Sequence, residues 1–146
     1  MNLKNLLKNI VQRIRKLEYN LGLIHDYVVE FYQDGGKEGY TKWESGKCEV
    51  WRRISKKLTA TTHWNGVYYG VYSDNSITYT MTGFTGFVGY PNVQIYLQAV
   101  NGNMFALVGD YNTYSTTGLG TYYVFSGASS SNVDATINIY AVGRWK

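Results

Sequence analysis

The first 24 residues carry an uninterrupted heptad repeat, which constrains the chain more than any other feature. Apolar side chains recur at alternating intervals of four and three residues, at Leu3, Leu7, Ile10, Ile14, Leu17, Leu21 and Ile24. A mean spacing of about 3.5 residues is typical of a coiled coil, in which the apolar seam of one helix packs against partner helices. Because such a helix cannot bury its seam alone, we expect the chain to be an oligomer.

The register of the repeat favours a homotrimer. Leucine and isoleucine are mixed at the a and d positions, and isoleucine at d shifts the preference from dimers towards trimers and tetramers. Leu6 and Val11, at g and e positions, widen the apolar stripe in the same direction. The alternative is a single amphipathic helix packed on its own globular domain, although such helices usually have a period of about 3.6 residues. We predict a coiled-coil stalk over residues 1–24 and a head over residues 25–146.

The charge distribution argues against nucleic-acid binding. The chain has a net charge of +4, but the stalk alone has five basic residues and one acidic residue, so the head is neutral. The basic residues therefore form a solvated helix face; the alternative, a basic helix lying on a membrane surface, fits the regular heptads less well. No segment approaches about 18 apolar residues, so we expect no membrane insertion. Without a signal-peptide pattern or a second cysteine beside Cys48, we expect synthesis in the bacterial cytoplasm and no intrachain disulfide.

From residue 25 onwards the sequence predicts an all-β head. Apolar and polar residues alternate with a period of two, and turn sequences separate the segments, with Asn65-Gly66 as the strongest hairpin signal. The predicted strands cover residues 27–33, 40–44, 48–54, 58–63, 67–72, 77–81, 93–99, 104–108, 121–125 and 133–141. Nothing indicates helices between them, which disfavours a parallel sheet. The predicted fold is an antiparallel, jelly-roll-like β-sandwich that follows a short N-terminal α-helical coiled coil.

The surface of the head is unusually poor in charge. Between Leu58 and Gly143 the only charged residues are three aspartates, whereas the same stretch has eleven tyrosines. An ordinary solvent-exposed surface carries more charge than this. Two compatible interpretations are burial between subunits, where charge is depleted and tyrosine enriched, and a recognition surface of adaptable Tyr, Ser, Gly and Asn side chains.

Three segments resemble the C-terminal domains of bacteriophage tail-fibre and receptor-binding proteins. Tyr40–Trp51 matches the pattern Y-x-K-W-x-x-G-x-x-E-x-W, Gly89–Val93 resembles a Y-P segment before the central strand, and Ile137–Lys146 resembles a closing strand that ends in G-R-W. The short coiled coil is similar to that of small tail-associated proteins from phages and prophages of Gram-positive gut bacteria. One departure is that Pro91 leads almost directly into the strand, where the family has a longer stretch.

The resemblance implies a trimeric β-sandwich head at the tip or side of a phage tail. Such a head is part of the virion, contacts other tail or baseplate proteins and binds a saccharide of the host cell surface. The matching motifs are structural rather than catalytic. They imply neither a cofactor nor an enzymatic activity.

Saccharide sites combine aromatic planes with Asn, Asp or Gln hydrogen-bonding groups. Loop aromatics beside such groups are therefore the predicted ligand-binding residues: His63, Trp64, Asn65, Tyr90, Asn92, Asp110, Tyr111, Asn112 and Tyr114. For Trp64 the alternative is packing across the hairpin, and for Tyr111 and Tyr114 it is a subunit contact. The other tryptophans lie in strand-like segments and are predicted to pack in the core or the trimer: Trp43, Trp51 and Trp145.

No catalytic or metal-binding pattern accompanies these residues. Glycan cleavage needs two carboxylates about the scissile bond, and the acidic residues beyond Leu58 are isolated aspartates. Two histidines without a nearby cysteine predict no zinc site. The turns Asp74-Asn75 and Asp110-Tyr111-Asn112 could supply oxygen ligands to calcium, but both are common turn sequences. We expect an adhesion module for a neutral or weakly charged saccharide, without cofactor or metal. The alternative is a purely structural trimer that caps or decorates a tail.

Overall fold

The computed structural model describes residues 2–22, 26–73, 77–99, 104–108 and 115–146. Within these ranges it has one helix, α1 (Leu3–Asn20), and nine strands. The strands are β1 (Val28–Asp34), β2 (Glu38–Trp43), β3 (Lys47–Ala60), β4 (Thr62–Trp64), β5 (Val67–Tyr72), β6 (Asn92–Ala99), β7 (Met104–Val108), β8 (Tyr122–Ser126) and β9 (Ser130–Arg144).

The strands form two antiparallel sheets, which confirms the predicted all-β head. The five-stranded sheet has the order β1-β2-β3-β9-β6, and the four-stranded sheet has the order β4-β5-β8-β7. The long strands β3 and β9 pair with each other from Lys47–Arg144 to Leu58–Val133. The pairing of β5 with β8 is nested inside that of β3 with β9, as in a jelly-roll-like sandwich.

Side-chain alternation along these strands gives the two sheets one shared core. Every second residue points inwards, and many inward side chains of β3, β8 and β9 are almost completely buried, among them Val50, Val124 and Ile137. The segments between strands complete this core with Ile77, Tyr79, Phe84, Phe87 and Leu119. The sheets therefore face each other across the core, and each sheet has a second, outer face.

Three predicted strands differ from the observed ones. The predicted strands 48–54 and 58–63 are separated in the structure at Thr61, not between Ile54 and Leu58, because β9 is long enough to pair with β3 throughout this stretch. The predicted strand 77–81 is absent, since Thr78 and Met81 form only isolated bridges. The side chains of this segment fill the core instead of extending a sheet.

The helix turns its apolar seam away from its own head. The contacts with the head come from the f positions, opposite the seam: the Gln12 amide donates to the Val29 carbonyl oxygen at 3.1 Å, and Tyr19 packs edge-on against Tyr27. No residue of α1 is buried, and the described seam residues are 44–73% exposed. The helix therefore does not pack its apolar face on its own head, which was the alternative to an oligomer. Ile24 lies outside the described residues.

Candidate functional site

The predicted site residues of the β4–β5 hairpin point in different directions. The hairpin turns at Asn65 and Gly66, both of which have positive φ angles, 48° and 89°. Consecutive strand residues face opposite sides of a sheet. His63 accordingly packs edge-on against Tyr68, with ring centroids 5.2 Å apart, whereas Trp64 lies on the other side and is 60% exposed.

Trp64 belongs to a surface that we call the apolar face, on the outer side of the four-stranded sheet. Thr62 and Val67 share this side, and we define the face by its other seven side chains: Trp64, Tyr69, Val71, Phe105, Leu107, Tyr123 and Phe125. Phe125 stacks on Phe105 with ring centroids 5.3 Å apart, and Trp64, Tyr69, Tyr123 and Phe125 line a groove of about 300 Å³. The four strands of this sheet contain no Asp, Glu, Lys or Arg.

The outer side of the five-stranded sheet has a different chemistry, and we call it the aromatic-amide face. It presents Phe31, Trp51, Arg53, Gln94, Tyr96, Gln98, Asn138 and Tyr140. The strand register places Tyr140 between Trp51 and Gln94, and Asn138 between Arg53 and Tyr96. Tyr96 is 69% exposed. Aromatic rings and amide groups therefore lie side by side across three neighbouring strands.

Trp51 is part of this face. The prediction that it packs in the core is therefore wrong, while a place in the trimer contact stays a prediction. Its indole lies across Gly39 of β2, where a Cβ atom would overlap the ring, and Phe31 packs beside it with ring centroids 6.3 Å apart. The missing side chain at residue 39 thus allows the indole to lie low over the sheet. Trp145, in contrast, packs against the core and donates its indole N–H to the Trp43 carbonyl oxygen at 2.9 Å.

A cleft of about 110 Å³ lies beside Trp51. It is lined by Gly36, Lys37, Trp51, Arg52, Arg53, Asn138 and Ile139. The Arg53 Nε donates to Asn138 Oδ1 at 3.0 Å, and the Arg52 guanidinium is paired with Glu38 at 3.0 Å. Neither Lys37 nor Arg53 has a carboxylate partner among the described residues. Two of the three cations that line the cleft are therefore without an ion pair to any described residue.

The remaining predicted site residues fall into two groups. Asn92 begins β6 and shares the outer side of the sheet with Gln94, so it lies at one end of the aromatic-amide face, and Tyr90 is 76% exposed just before it. The other predicted residues lie outside the described ranges: Asp110, Tyr111, Asn112 and Tyr114. The structure thus separates Trp64 from Asn92, since they lie on different sheets.

The sequence interpretation missed most residues of the aromatic-amide face because it looked for aromatics in loops. The alternation of 92–98 and 134–142 does indicate which strand residues share an outer side. What it cannot indicate is that β3 and β6 flank the same strand, β9. That neighbourhood brings Trp51 and Tyr96 onto one surface.

A charge cluster inside the head joins Glu30, Tyr40 and Lys42. The Lys42 ammonium, almost buried, lies 2.8 Å from Glu30 Oε2 and donates to the Gly83 carbonyl oxygen at 2.9 Å, while the Tyr40 hydroxyl donates to Glu30 Oε1 at 2.6 Å. Partial burial raises the pKa of Glu30, but the hydrogen bonds from Lys42 and Tyr40 outweigh it and lower that pKa overall. Burial, with the Glu30 hydrogen bond, raises the pKa of Tyr40. The cluster ties β1 and β2 to the loop at Gly83.

Other chemistry is sparse in the part of the chain that the structure describes. Burial raises the pKa of the Cys48 thiol to about 12, which makes it a poor nucleophile. No three His, Cys, Asp or Glu side chains of the described ranges lie close enough together to hold a metal ion. Helix α1 lacks the length and hydropathy to cross a membrane, and it is the sole helix in those ranges.

No protein-family model matches the chain, and no curated protein matches it. Two solved structures are similar. One is a C-terminal part of the R1 pyocin fibre of P. aeruginosa, with 15% identity and a TM-score of 0.48. The alignment covers 86% of this chain but 30% of that one. The other is an N-truncated R1-type pyocin tail fibre, with 14% identity and a TM-score of 0.49 over 88% of this chain and 94% of that one. At these values the similarity assigns no function to the chain.

Proposed function

We propose that the chain is the receptor-binding head of a bacteriophage or phage-like tail, and that it acts as a homotrimer that binds a host cell-surface saccharide without cleaving it. The tail-fibre motifs of the sequence support the class of protein. The aromatic-amide face is the observation that supports a saccharide as the ligand. Its association with other tail or baseplate proteins follows from the same class.

Sugars have apolar C–H faces and hydroxyl edges, so their binding sites need rings for stacking and amides for hydrogen bonds. The aromatic-amide face has both within reach of one sugar unit, because directly paired residues of neighbouring strands lie about 5 Å apart. Tyr140 is next to Trp51 and Gln94, and Asn138 is next to Tyr96. The face is broad and open, which suits an extended saccharide rather than an enclosed small molecule.

The apolar face has the opposite chemistry, and we assign it to contact with a neighbouring copy of the chain. Its seven side chains offer few hydrogen-bonding groups for sugar hydroxyls, and its sheet has no charge. Exposed surface on Trp64, Val71, Phe105 and Leu107 alone amounts to on the order of 400 Å², about half of what each partner buries in a standard interface. The exposed seam of α1 supplies the remaining interface area, and the seam itself can be buried only against neighbouring copies.

Assembly through the apolar face leaves the saccharide face accessible, because the two faces belong to opposite outer sides of the sandwich. The sequence alone allowed both subunit burial and recognition, and this arrangement assigns one role to each sheet. Three weak sites on one trimer also raise avidity by orders of magnitude on a surface that repeats its sugar.

We expect binding without cleavage because of where the acids lie. Among described strand residues, the acidic side chains on the aromatic-amide side are Glu49 and Asp134, which pair with Val142 and Lys57 of the neighbouring strands. Eight residues of β9 separate these two positions, about 26 Å at the usual rise of a strand. Glycoside hydrolysis needs two carboxyl groups within about 10 Å of each other.

The test is binding of fluorescently labelled protein to a panel of Gram-positive gut bacteria. We expect Trp51→Ala and Tyr96→Ala each to weaken binding about tenfold per site, because each removes a stacking ring. Trp64→Ala tests the alternative site on the other sheet, and all variants are compared as trimers because we assign Trp64 to a subunit contact. Loss of binding in Trp64→Ala alone would move the site to the β4–β5 hairpin. A wild-type trimer that binds no cells and no cell-wall glycans would favour the purely structural alternative.

A further inference from the structure

We propose that the cleft beside Trp51 binds an anionic substituent of the saccharide, a phosphate or a carboxylate. This inference rests on the proposed function and narrows its ligand class. It starts from Lys37 and Arg53, two cations that line the cleft. Both side chains are exposed, and neither forms an ion pair with any described residue.

The backbone brings these two cations to one cleft although they are 16 positions apart in the chain. The turn between β1 and β2 passes through Gly35 and Gly36, whose φ angles are 48° and 76°. It is fastened to β3 because the Arg53 backbone N–H donates to the Lys37 carbonyl oxygen at 2.6 Å. A glycine-rich turn therefore presents Lys37 at the mouth of the cleft that Arg53 lines.

Arg53 is oriented for an anion. Its Nε is held by Asn138 Oδ1, and the structure gives its two Nη groups no partner among the described residues. A planar guanidinium with unengaged N–H groups binds phosphate or carboxylate oxygens with two parallel hydrogen bonds, and a nearby lysine adds a point charge. Arg52 does not compete for the anion, since Glu38 and Thr78 occupy its guanidinium.

The size of the cleft selects a substituent rather than a sugar ring. Its volume is about 110 Å³, against about 300 Å³ for the groove on the apolar face. The cleft has room for one phosphate or carboxylate group. The ring that bears the group would lie over Trp51, at the border between the cleft and the rest of the aromatic-amide face.

This proposal replaces the sequence-based expectation of a neutral or weakly charged sugar. That expectation rested on the charge-poor stretch from Leu58 to Gly143. Lys37, Trp51 and Arg53 all precede this stretch, and the sheet order places them beside Asn138, which lies inside it. A charge count along the chain therefore underestimates the charge at this surface.

The experiment is an NMR titration of the isotope-labelled full chain at constant ionic strength. The probes are α-D-glucose 1-phosphate, D-glucuronate, D-glucose and inorganic phosphate, and the reporters are the Arg53 Nε–H and Trp51 indole N–H signals. We expect both anionic sugars to shift both signals, and glucose to bind at least about tenfold more weakly. Inorganic phosphate is expected to shift the Arg53 signal more than the Trp51 signal, because it lacks a sugar ring to stack on the indole.

The double variant Lys37→Gln/Arg53→Gln is expected to bind glucose 1-phosphate at least about tenfold more weakly than the wild type, as seen at Trp51. Lys57→Gln is the matched control, because Lys57 lies on the same side of β3 but is paired with Asp134 at 2.9 Å. It should bind within about twofold of the wild type. Equal affinity for glucose and glucose 1-phosphate, or undiminished binding by the double variant, would overturn the proposal.

Cell binding distinguishes this inference from the function on which it rests. If wild type and double variant label the bacteria equally while Trp51→Ala does not, the saccharide-binding function stands and the anion site is refuted. If the wild type labels none of the bacteria and shifts with none of the probes, both fail.

Discussion

Replacing Ile14 with aspartate tests whether the seam of α1 holds the chains together. Ile14 is 50% exposed in the single chain, and the a position it occupies would be buried in a trimer. Complete burial of an isoleucine side chain is worth about 1.5–3 kcal/mol, so the exposed half contributes about 1 kcal/mol per chain. Three chains therefore lose about 3 kcal/mol, and three converging carboxylates add at least as much again in desolvation and repulsion.

A total of about 6 kcal/mol corresponds to a factor of about 10⁴ in the association constant. Because the midpoint concentration of a monomer–trimer equilibrium varies with the square root of that constant, we expect the midpoint to rise about a hundredfold. Sedimentation velocity over a concentration series measures it, with the monomer at 16.6 kDa and the wild-type trimer at three times that mass.

The matched control is Asn9→Asp, which adds one negative charge to the same helix at an exposed c position. It should leave the midpoint within a few-fold of the wild type, since a surface charge contributes little. If Ile14→Asp assembles at the same concentrations as Asn9→Asp, the seam does not hold the chains together. A wild type that is monomeric at micromolar concentration would refute the homotrimer itself.

Two further predictions concern the head alone. Glu30 has a pKa below its usual 4.5 in the folded chain, so its pairing with Lys42 stabilises the head above pH 4.5, and this stability is lost as the pH falls through the lowered value. Denaturant titrations should show that Glu30→Gln reduces the loss of unfolding free energy at acid pH. An unchanged dependence of that free energy on pH would contradict the pairing. Gly70→Ala should lower the free energy of unfolding by about 2–3 kcal/mol, because a Cβ atom would overlap the Thr59 carbonyl oxygen; a variant as stable as the wild type in urea would show that β5 can move away from β3.

Local periodicity was enough to predict the secondary-structure class of most of the chain. The heptads predicted a helix that presents its seam to other chains, and the described seam residues of α1 are all exposed in the single chain. The strands 67–72 and 104–108 agree with the observed bounds. These features depend on residues close together in the chain, so a period of 3.5 or 2 suffices to recognise them.

The strand at 77–81 shows where local pattern is insufficient. Its alternation is that of a strand, but Ile77 and Tyr79 fill the space between the two sheets. Whether an alternating segment joins a sheet or packs in the core depends on the space that the other segments leave unfilled. That competition involves residues distant in sequence and leaves no periodic signal.

The surfaces depended on tertiary structure for the same reason. Sequence indicated that the head combines many tyrosines with little charge, and alternation showed which residues of a single strand share a side. The order of the strands then separated Trp64 from Asn92, and it joined Lys37, Trp51 and Arg53 to Asn138 and Tyr96. Strand order is set by long-range pairing and by packing of one shared core, whose free energy belongs to the whole fold rather than to any segment.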